Sequence, residues 1–248
     1  MIVTSTEVQN NFGKYLMLAA QEEIIITRNG TEIAKLTALK EPSTTGSEGR
    51  QGVAEKAIAY GDHQWKATYE EFLELTQDAE ERYEYIDGEI YLLASPKTAH
   101  QTALTELFGI FYNWFEGKKC TTFVAPYDIT LRRNPENINV VQPDLMVICD
   151  LEEKLDTNDY YQGVPTLLIE ILSEGTRRKD LVTKLDLYLS CGVREYWLVN
   201  PLNKELTVYE FVDQNINKSA TYRQPEVARS FIFDGLTVEL ERVFKPVQ

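Results

Sequence analysis

The segment TLLIEILSEGTRRKD, residues 166–180, places one carboxylate, that of Glu170, inside an apolar run. The residues around it, 167–172, predict a strand that is buried on both faces. An unpaired ionised carboxylate in such a strand costs several kcal/mol or becomes protonated. Glu170 therefore needs either a structural counter-charge or a function, and both interpretations stay open on these residues alone.

Composition and charge set limits on function. The 248 residues are 43% apolar and 26% charged, enough for one large core or for a domain with a small appendage. No apolar run approaches the roughly 18 residues of a membrane span, and the N-terminus has no signal-peptide pattern, so we expect a cytoplasmic protein without membrane contact. The net charge of −14 disfavours a nuclease unless a basic patch or metal ions offset it, although residues 1–50 are nearly neutral.

The cysteines point to no covalent or zinc framework. Cys120, Cys149 and Cys191 are widely spaced and form no CxxC pair. This spacing indicates neither disulfides nor a structural zinc site, so we expect buried free thiols.

The chain divides into two parts of different size. A Pro/Ser/Thr/Gly stretch that begins at residue 42 has no sustained hydrophobic period, which is typical of a linker. We predict a small module over residues 1–45, a linker over 46–65 and a larger domain over 66–248.

The small module has the pattern of a strand, a helix and a hairpin. Asn29-Gly30 separates two strand-like runs, which indicates a hairpin with a primed turn. A unit of about 40 residues has a thin core, so we expect a homodimer or a higher homo-oligomer formed through this α+β module.

The same residues resemble the N-terminal part of the Phd/YefM antitoxins. The matching positions are Val3 to Ser5, Asn11-Phe12, Ile26 to Gly30, Ala34 and Leu36. The resemblance implies a unit that dimerises and binds operator DNA. A toxin-type protein partner is an alternative, but antitoxins continue into a flexible tail that wraps a toxin, whereas this chain continues into a folded domain.

Two groups of polar residues are candidate DNA contacts, with simple solvation as the alternative for each. The small module supplies Asn10, Asn11, Lys14 and Arg28. The larger domain supplies the basic run Arg177, Arg178 and Lys179.

The larger domain mixes helical and strand-like segments. A capping box at Thr68 opens a first helix, Asp87-Gly88 marks a hairpin, and a long amphipathic helix is predicted from about Thr98 to Glu116. Strand runs follow, then a helix from about Arg178 to Cys191 that Gly192 ends, and a further hairpin. The order predicts a mixed α/β fold, and no glycine-rich loop indicates a Rossmann or P-loop site.

Two acids and a lysine make the chemical case. Asp144 starts an apolar strand, and Glu170 lies in the next strand run along the chain. If these strands are neighbours, the two carboxylates converge, and a divalent cation would relieve their repulsion. Hard oxygen ligands suit Mg²⁺ or Mn²⁺, and such a site suits phosphodiester hydrolysis.

These residues resemble the PD-(D/E)xK nuclease superfamily, and the motifs QPD, IEILS and RKDLVTKLDLYLSCGVREYWLVNP look very much like the Uma-two family within it. The resemblance implies a restriction-endonuclease-like mixed sheet flanked by helices and a metal-dependent nuclease activity. It departs from the pattern at Leu172, where the superfamily has lysine. Lys184 on the following helix is the candidate substitute, with a solvated ion pair to Asp180 as the alternative.

Three further side chains are weaker site candidates. Glu84 and Glu89 flank the Asp87-Gly88 turn, and Glu89 is the preferred additional metal ligand over the alternative of an exposed acid. His100, near the start of the long helix, is a candidate proton shuttle or phosphate contact, or else a solvated histidine.

Two functions follow from these residues. The first is a Mg²⁺-dependent endonuclease that cuts DNA and carries a DNA-binding, dimerising module. The second is an operator-binding regulator of toxin-antitoxin type whose nuclease-like domain is inactive, which Leu172 favours. The retention of Asp144, Glu170 and Lys184 favours the enzyme.

Overall fold

A computed structural model of the chain describes residues 2–4, 8, 15, 19, 24–28, 31–37, 64–173 and 179–245. The chain forms two compact units, Met1–Ile58 and Ala59–Gln248. Most of the predicted linker lies outside the described residues. Its last two residues, Gln64 and Trp65, belong to a strand of the second unit. None of the helices in the described part of the chain is long and apolar enough to cross a membrane.

The first unit contains a three-stranded sheet. Its strands are β1 (Ile2–Thr4), β2 (Ile24–Arg28) and β3 (Thr31–Leu36). β1 is parallel to β2, and β2 is antiparallel to β3, as a hairpin requires. Three residues with helical backbone pack with strand residues in one buried cluster, whose members are Val3, Val8, Tyr15, Ala19, Ile24 and Ile26. Dimerisation through this unit stays a prediction.

A mixed six-stranded sheet forms the centre of the second unit. Its strands are β7 (Thr121–Val124), β10 (Leu145–Ile148), β11 (Leu167–Ile171), β12 (Glu195–Asn200), β13 (Glu205–Val212) and β14 (Asn215–Arg223). Their spatial order is β14-β13-β12-β11-β10-β7. Only β11 and β12 pair in parallel within this sheet, and helical segments connect them.

Two smaller sheets and several helices complete the second unit. A five-stranded sheet has the order β4-β6-β5-β9-β8, with strands β4 (Gln64–Lys66), β5 (Tyr83–Ile86), β6 (Glu89–Leu92), β8 (Ile129–Arg132) and β9 (Ile138–Val141). A two-stranded sheet pairs β15 (Val227–Arg229) with β16 (Thr237–Glu239). The helices are α1 (Tyr69–Thr76), α2 (Thr98–Phe115), α3 (Leu151–Lys154), α4 (Leu185–Cys191) and α5 (Leu240–Val243).

The central sheet is buried on both faces, as the apolar run around Glu170 predicts. Alternate residues of β11 point to opposite faces. Leu167, Ile169 and Ile171 pack with α2, whereas Leu168 lies with residues of α4 and of the five-stranded sheet. All five residues of β11 are buried. The fold class, a mixed sheet flanked by helices, is confirmed for this unit.

Local patterns predicted several of its turns and helix ends. Asp87 and Gly88 both have positive φ, 50° and 82°, which is the conformation of a primed hairpin turn between β5 and β6. Thr68 and Glu71 form the reciprocal hydrogen bonds of the predicted capping box at the start of α1. Gly192, in the left-handed conformation with φ 91°, ends α4.

The helix predicted from about Arg178 to Cys191 differs from the structure in its first half. Residues Lys179–Lys184 form a π-helical turn, and the α-helix begins only at Leu185. Such turns are rare and occur often at functional sites. A periodicity of 3.6 residues cannot distinguish this wider turn from an α-helix.

The prediction of free thiols is wrong for two of the three cysteines. Cys120 and Cys149 form a disulfide with an S–S distance of 2.06 Å, and Cys191 is free. The bonded cysteines adjoin the paired strands β7 and β10, in which Thr121 lies opposite Ile148. They therefore face each other at one end of the sheet, a juxtaposition that only the strand register reveals.

We expect the Cys120–Cys149 disulfide to stabilise the second unit. It closes a loop with a sequence separation of 29, and loss of such a link costs about 3–4 kcal/mol on the chain-entropy account. Replacing both residues by serine should lower the free energy of unfolding in urea by that amount under oxidising conditions. Cys191→Ser is the matched control. An equal stability of all three proteins without reductant would contradict the prediction.

Candidate active site

The carboxylate of Glu170 is buried and paired. Its side chain lies on β11 and the residue is 3% exposed. The ammonium of Lys184 lies 2.7 Å from Oε1 of Glu170, and the hydroxyl of Tyr188 donates to the same oxygen over 2.6 Å. The acid in the apolar strand therefore has two partners from the helical segment that follows, an ammonium group and a hydroxyl donor.

The π-helical turn and α4 supply these partners from one side. Asp180, Lys184 and Tyr188 recur every four residues and are all buried. Asp180 Oδ1 lies 3.7 Å from the Lys184 ammonium, and the Tyr196 hydroxyl donates to the backbone carbonyl of Asp180 over 3.1 Å. The predicted alternative of a solvated Asp180–Lys184 pair does not hold, since Lys184 is 2% exposed.

A second buried carboxylate, that of Glu84 on β5, joins the same lysine from the five-stranded sheet. Its Oε1 lies 2.8 Å from the Lys184 ammonium and accepts the backbone N–H of Gln142 over 2.9 Å. Its Oε2 lies 2.5 Å from the ammonium of Lys179. Glu84 is 0% exposed, so every one of these contacts is shielded from solvent.

Sequence reasoning preferred Glu89 to Glu84 as the additional acid. Glu89 is only partly buried, and its Oε2 accepts the Tyr91 hydroxyl over 2.7 Å. Both acids share the face of β5 and β6 that carries Ile86. Glu89 lies beside the exposed turn, where it pairs with Ile86, whereas Glu84 pairs with Tyr91 further from the turn. The greater distance of Glu84 from the exposed turn was the sequence signal that could have identified it as the buried acid.

Asp144 and His100 lie beside these buried groups and are more accessible to solvent. Leu145 pairs with Ile169 in the antiparallel ladder, so Asp144 lies opposite Glu170. Oδ2 of Asp144 accepts the backbone N–H of Ile171 over 2.7 Å and lies 3.2 Å from Nε2 of His100. The side chains of Asp144 and His100 are 19% and 11% exposed. Within the described residues, the buried Nδ1 of His100 has no hydrogen-bond partner.

We use the name ion cluster for Glu84, Glu170, Lys179, Asp180, Lys184 and Tyr188. It contains three carboxylates and two ammonium groups, so full ionisation would leave one excess negative charge in a buried region. Burial, and after it the charges of the neighbouring carboxylates, raise the pKa of the Glu170 carboxyl well above its usual range. Burial opposes ionisation of Glu84 also, but Lys179 and Lys184 hold its pKa at about 2.

The neighbours of Glu170 are held in their protonated forms. Burial disfavours the Lys184 ammonium, but the carboxylates of Glu170, Glu84 and Asp180 raise its pKa well above the usual value. Burial and the charge of Glu170 raise the pKa of the Tyr188 hydroxyl well above its usual range. Both groups therefore remain hydrogen-bond donors to Glu170 near neutral pH.

The donor set suits a hard divalent cation bound by two acids. The contacts of Asp144 described above use Oδ2, and those of Glu170 use Oε1, so the second oxygen of each carboxylate takes part in none of them. Within the described residues, no group of three or more His, Cys, Asp or Glu side chains has a metal-binding arrangement. Mg²⁺ needs only one or two carboxylates when waters and phosphate oxygens supply its remaining ligands.

The remaining predicted site residues fall into two groups. Lys179 is 9% exposed and paired with Glu84, which does not fit its predicted contact with a DNA backbone. Arg28 ends β2, and its side chain lies outside the described part. The other predicted DNA contacts also lie outside the described residues: Asn10, Asn11, Lys14, Arg177 and Arg178.

The mixed sheet and its facing acids define a protein with a restriction-endonuclease-like fold. The sequence profile of the Uma2 family, described as "Putative restriction endonuclease", matches residues 69–241. The chain belongs to this family.

Two proteins are similar to this chain. A crystal structure described as a putative nuclease belonging to DUF820, from Anabaena variabilis, superposes with a TM-score of 0.58 and 21% identity, covering 72% of this chain and 97% of that chain. Uncharacterized protein slr1290 from Synechocystis sp. is 28% identical over 145 residues, which are 58% of this chain and 74% of the relative. The crystal structure supports the fold.

We expect Glu84 to contribute to stability only above acidic pH. Its pKa of about 2 in the folded chain lies below the usual value of 4.5, so its contribution is full above pH 4.5 and is lost as the pH falls towards 2. Glu84→Gln should lower the free energy of unfolding at pH 7 by about 3–5 kcal/mol, because two buried ammonium groups lose their counter-charge.

Chemical denaturation between pH 7 and pH 2 measures this effect. The wild-type curve should fall more steeply below pH 4.5 than that of Glu84→Gln. Glu136→Gln, which alters an exposed carboxylate, is the control. Parallel pH dependence of wild type and Glu84→Gln would exclude the depressed pKa.

Proposed function

We propose that the second unit is a Mg²⁺-dependent or Mn²⁺-dependent endonuclease that hydrolyses phosphodiester bonds of DNA. The observation that carries this proposal is that Asp144, directly before β10, lies opposite Glu170 on β11 by continuation of the strand register, with the Lys184 ammonium 2.7 Å from Glu170. Membership of the Uma2 family supports the nuclease assignment. Metal dependence and the choice of DNA are parts of the proposal.

Asp144 and Glu170 would hold the cation through one carboxylate oxygen each. When bound, a divalent cation lowers the pKa of an attacking water and neutralises charge on the phosphoryl oxygens. The buried excess of negative charge favours cation binding at Glu170. The bound cation would replace the proton that the raised pKa of this carboxyl favours.

Lys184 takes the role that the superfamily gives to a lysine at position 172. Leu172 is 7% exposed and packs in the core beside α4, so position 172 contributes apolar packing. The Lys184 ammonium reaches Glu170 from the next helical segment instead. There it orients a water beside the carboxylates and stabilises the charge that develops on the phosphoryl group.

His100 is the proposed phosphate contact or proton shuttle. Nε2 of His100 contacts Oδ2 of Asp144, which orients the ring. Nδ1 of His100 has no hydrogen-bond partner among the described residues. A histidine oriented by a carboxylate keeps its second nitrogen free to donate or accept a proton.

Plasmid cleavage tests the enzyme. We expect the wild-type protein to nick supercoiled DNA in Mg²⁺ or Mn²⁺, and Asp144→Asn and Glu170→Gln to lose about 100-fold or more of that rate, because each removes a charge that acts in the transition state. Asp150→Asn is the matched control, since Asp150 lies just beyond the other end of β10 and bonds Tyr161. Equal nicking by all four proteins would point to a contaminant.

Absence of cleavage by any of these proteins would support a regulator with an inactive nuclease-like domain. Leu172 alone favours that alternative. The contact of Lys184 with Glu170 weakens the regulator alternative, because a lysine reaches this acid although position 172 has none.

We further propose that the first unit binds DNA and forms a homodimer. The support is the resemblance of residues 1–40 to Phd/YefM antitoxins and the strand and hairpin of β1, β2 and β3. Two copies related by a twofold axis would bring two active sites to opposite strands of a duplex. A toxin-type partner remains the less favoured alternative.

Deletion of residues 1–45 tests the role of the first unit. We expect a monomer by light scattering and a loss of DNA affinity, since phosphate contacts contribute a large share of binding free energy. Cleavage by the monomer should fall mainly through a higher KM. An unchanged oligomeric state together with unchanged DNA binding would exclude both roles.

A further inference from the structure

One oxygen of Glu84 connects two parts of the candidate active site. Oε1 accepts the backbone N–H of Gln142, two residues before Asp144, and also contacts the Lys184 ammonium that reaches Glu170. Glu84 belongs to the five-stranded sheet, whereas Glu170 lies on β11 of the six-stranded sheet and Asp144 directly precedes β10 of that sheet. Its carboxylate therefore fixes an element of one sheet to the reacting groups of the other.

Lys179 pairs with the second oxygen of the Glu84 carboxylate. Its ammonium contacts the other oxygen, Oε2, and lies 5.3 Å from the centre of the Tyr91 ring. With a separate cation on each oxygen, Oε1 stays directed at Lys184 and at the Gln142 amide. The basic residue that sequence analysis assigned to DNA is in this position a buried counter-ion.

We propose that Glu84 is a positioning residue of the active site, which fixes the Lys184 ammonium against Glu170 and the chain segment before Asp144, with Lys179 as its counter-ion. This inference rests on the endonuclease function proposed above. Glu84 does not contact the cation or the phosphate in this role. It acts through the groups that do.

Two double variants separate positioning from charge balance. Glu84→Met/Lys179→Met and Glu84→Gln/Lys179→Met both remove one negative and one positive charge and keep side-chain length. They differ at one point: glutamine keeps an acceptor oxygen for Lys184 and the Gln142 amide, whereas methionine has none. A buried ion pair can be replaced by apolar residues of similar volume without loss of folding, so both variants remain testable.

We expect the Met/Met variant to lose about 100-fold in kcat with an unchanged KM for DNA, because a lysine displaced by about 1 Å no longer meets the reacting group. The Gln/Met variant should lose no more than about tenfold, because its amide oxygen still directs Lys184. The thermal midpoints of the two variants should be similar. A purely structural role of Glu84 predicts the same kcat for both.

An NMR measurement of the lysine ammonium groups needs no cleavage. A buried, hydrogen-bonded ammonium exchanges slowly and gives a protected ¹H–¹⁵N signal, which Lys184→Arg would assign. We expect this signal in the wild type and in the Gln/Met variant, and its loss in the Met/Met variant.

The outcomes separate the two proposals. If the wild type does not cut DNA, the endonuclease proposal fails, and the ammonium signals alone decide whether Glu84 positions Lys184. Positioning is overturned if both variants show the same Lys184 signal and, in an active enzyme, the same kcat. It is also overturned if the wild-type Lys184 ammonium exchanges as fast as that of an exposed lysine.

Discussion

The contact between the Lys184 ammonium and two buried carboxylates, those of Glu170 and Glu84, is the interaction on which the second unit depends. An isolated ionised acid in the middle of β11 would cost several kcal/mol, and an isolated ammonium would cost as much. Neither group can be buried alone. The central sheet, the π-helical turn and the five-stranded sheet must therefore come together for any of the three charges to be accommodated.

The need to bury these charged groups together also determines the charge balance of the ion cluster. Three carboxylates share two ammonium groups, and burial together with the neighbouring carboxylates raises the pKa of the Glu170 carboxyl well above its usual range. A cluster whose charges were fully balanced would have little affinity for a further cation. The ion cluster, when fully ionised, is one positive charge short of balance. The less buried acid, Asp144, lies beside it at the edge where solvent reaches. The residues that balance one another's buried charges are thus also residues that the proposed function uses.

Sequence reasoning recovered the features that are local and missed those that depend on register. The apolar run identified Glu170 as exceptional, and Asp87-Gly88 and Gly192 predicted a turn and a helix end because their conformations are fixed by neighbouring residues. Glu84 was ranked below Glu89, since its partners lie far away in the chain. The Cys120–Cys149 disulfide was missed for the same reason: it requires β7 to pair with β10.

The burial of Lys179 and Lys184 changes how DNA would reach the proposed site. Both ammonium groups are committed to carboxylates, and the chain carries a net charge of −14, so these lysines create no positive surface that attracts a phosphate from solution. Attraction must then come from a bound cation at Asp144 and Glu170 or from a separate DNA-binding surface. This requirement unites the two proposals, because metal ions and the nearly neutral first unit are the means by which so acidic a chain could hold a polyanion.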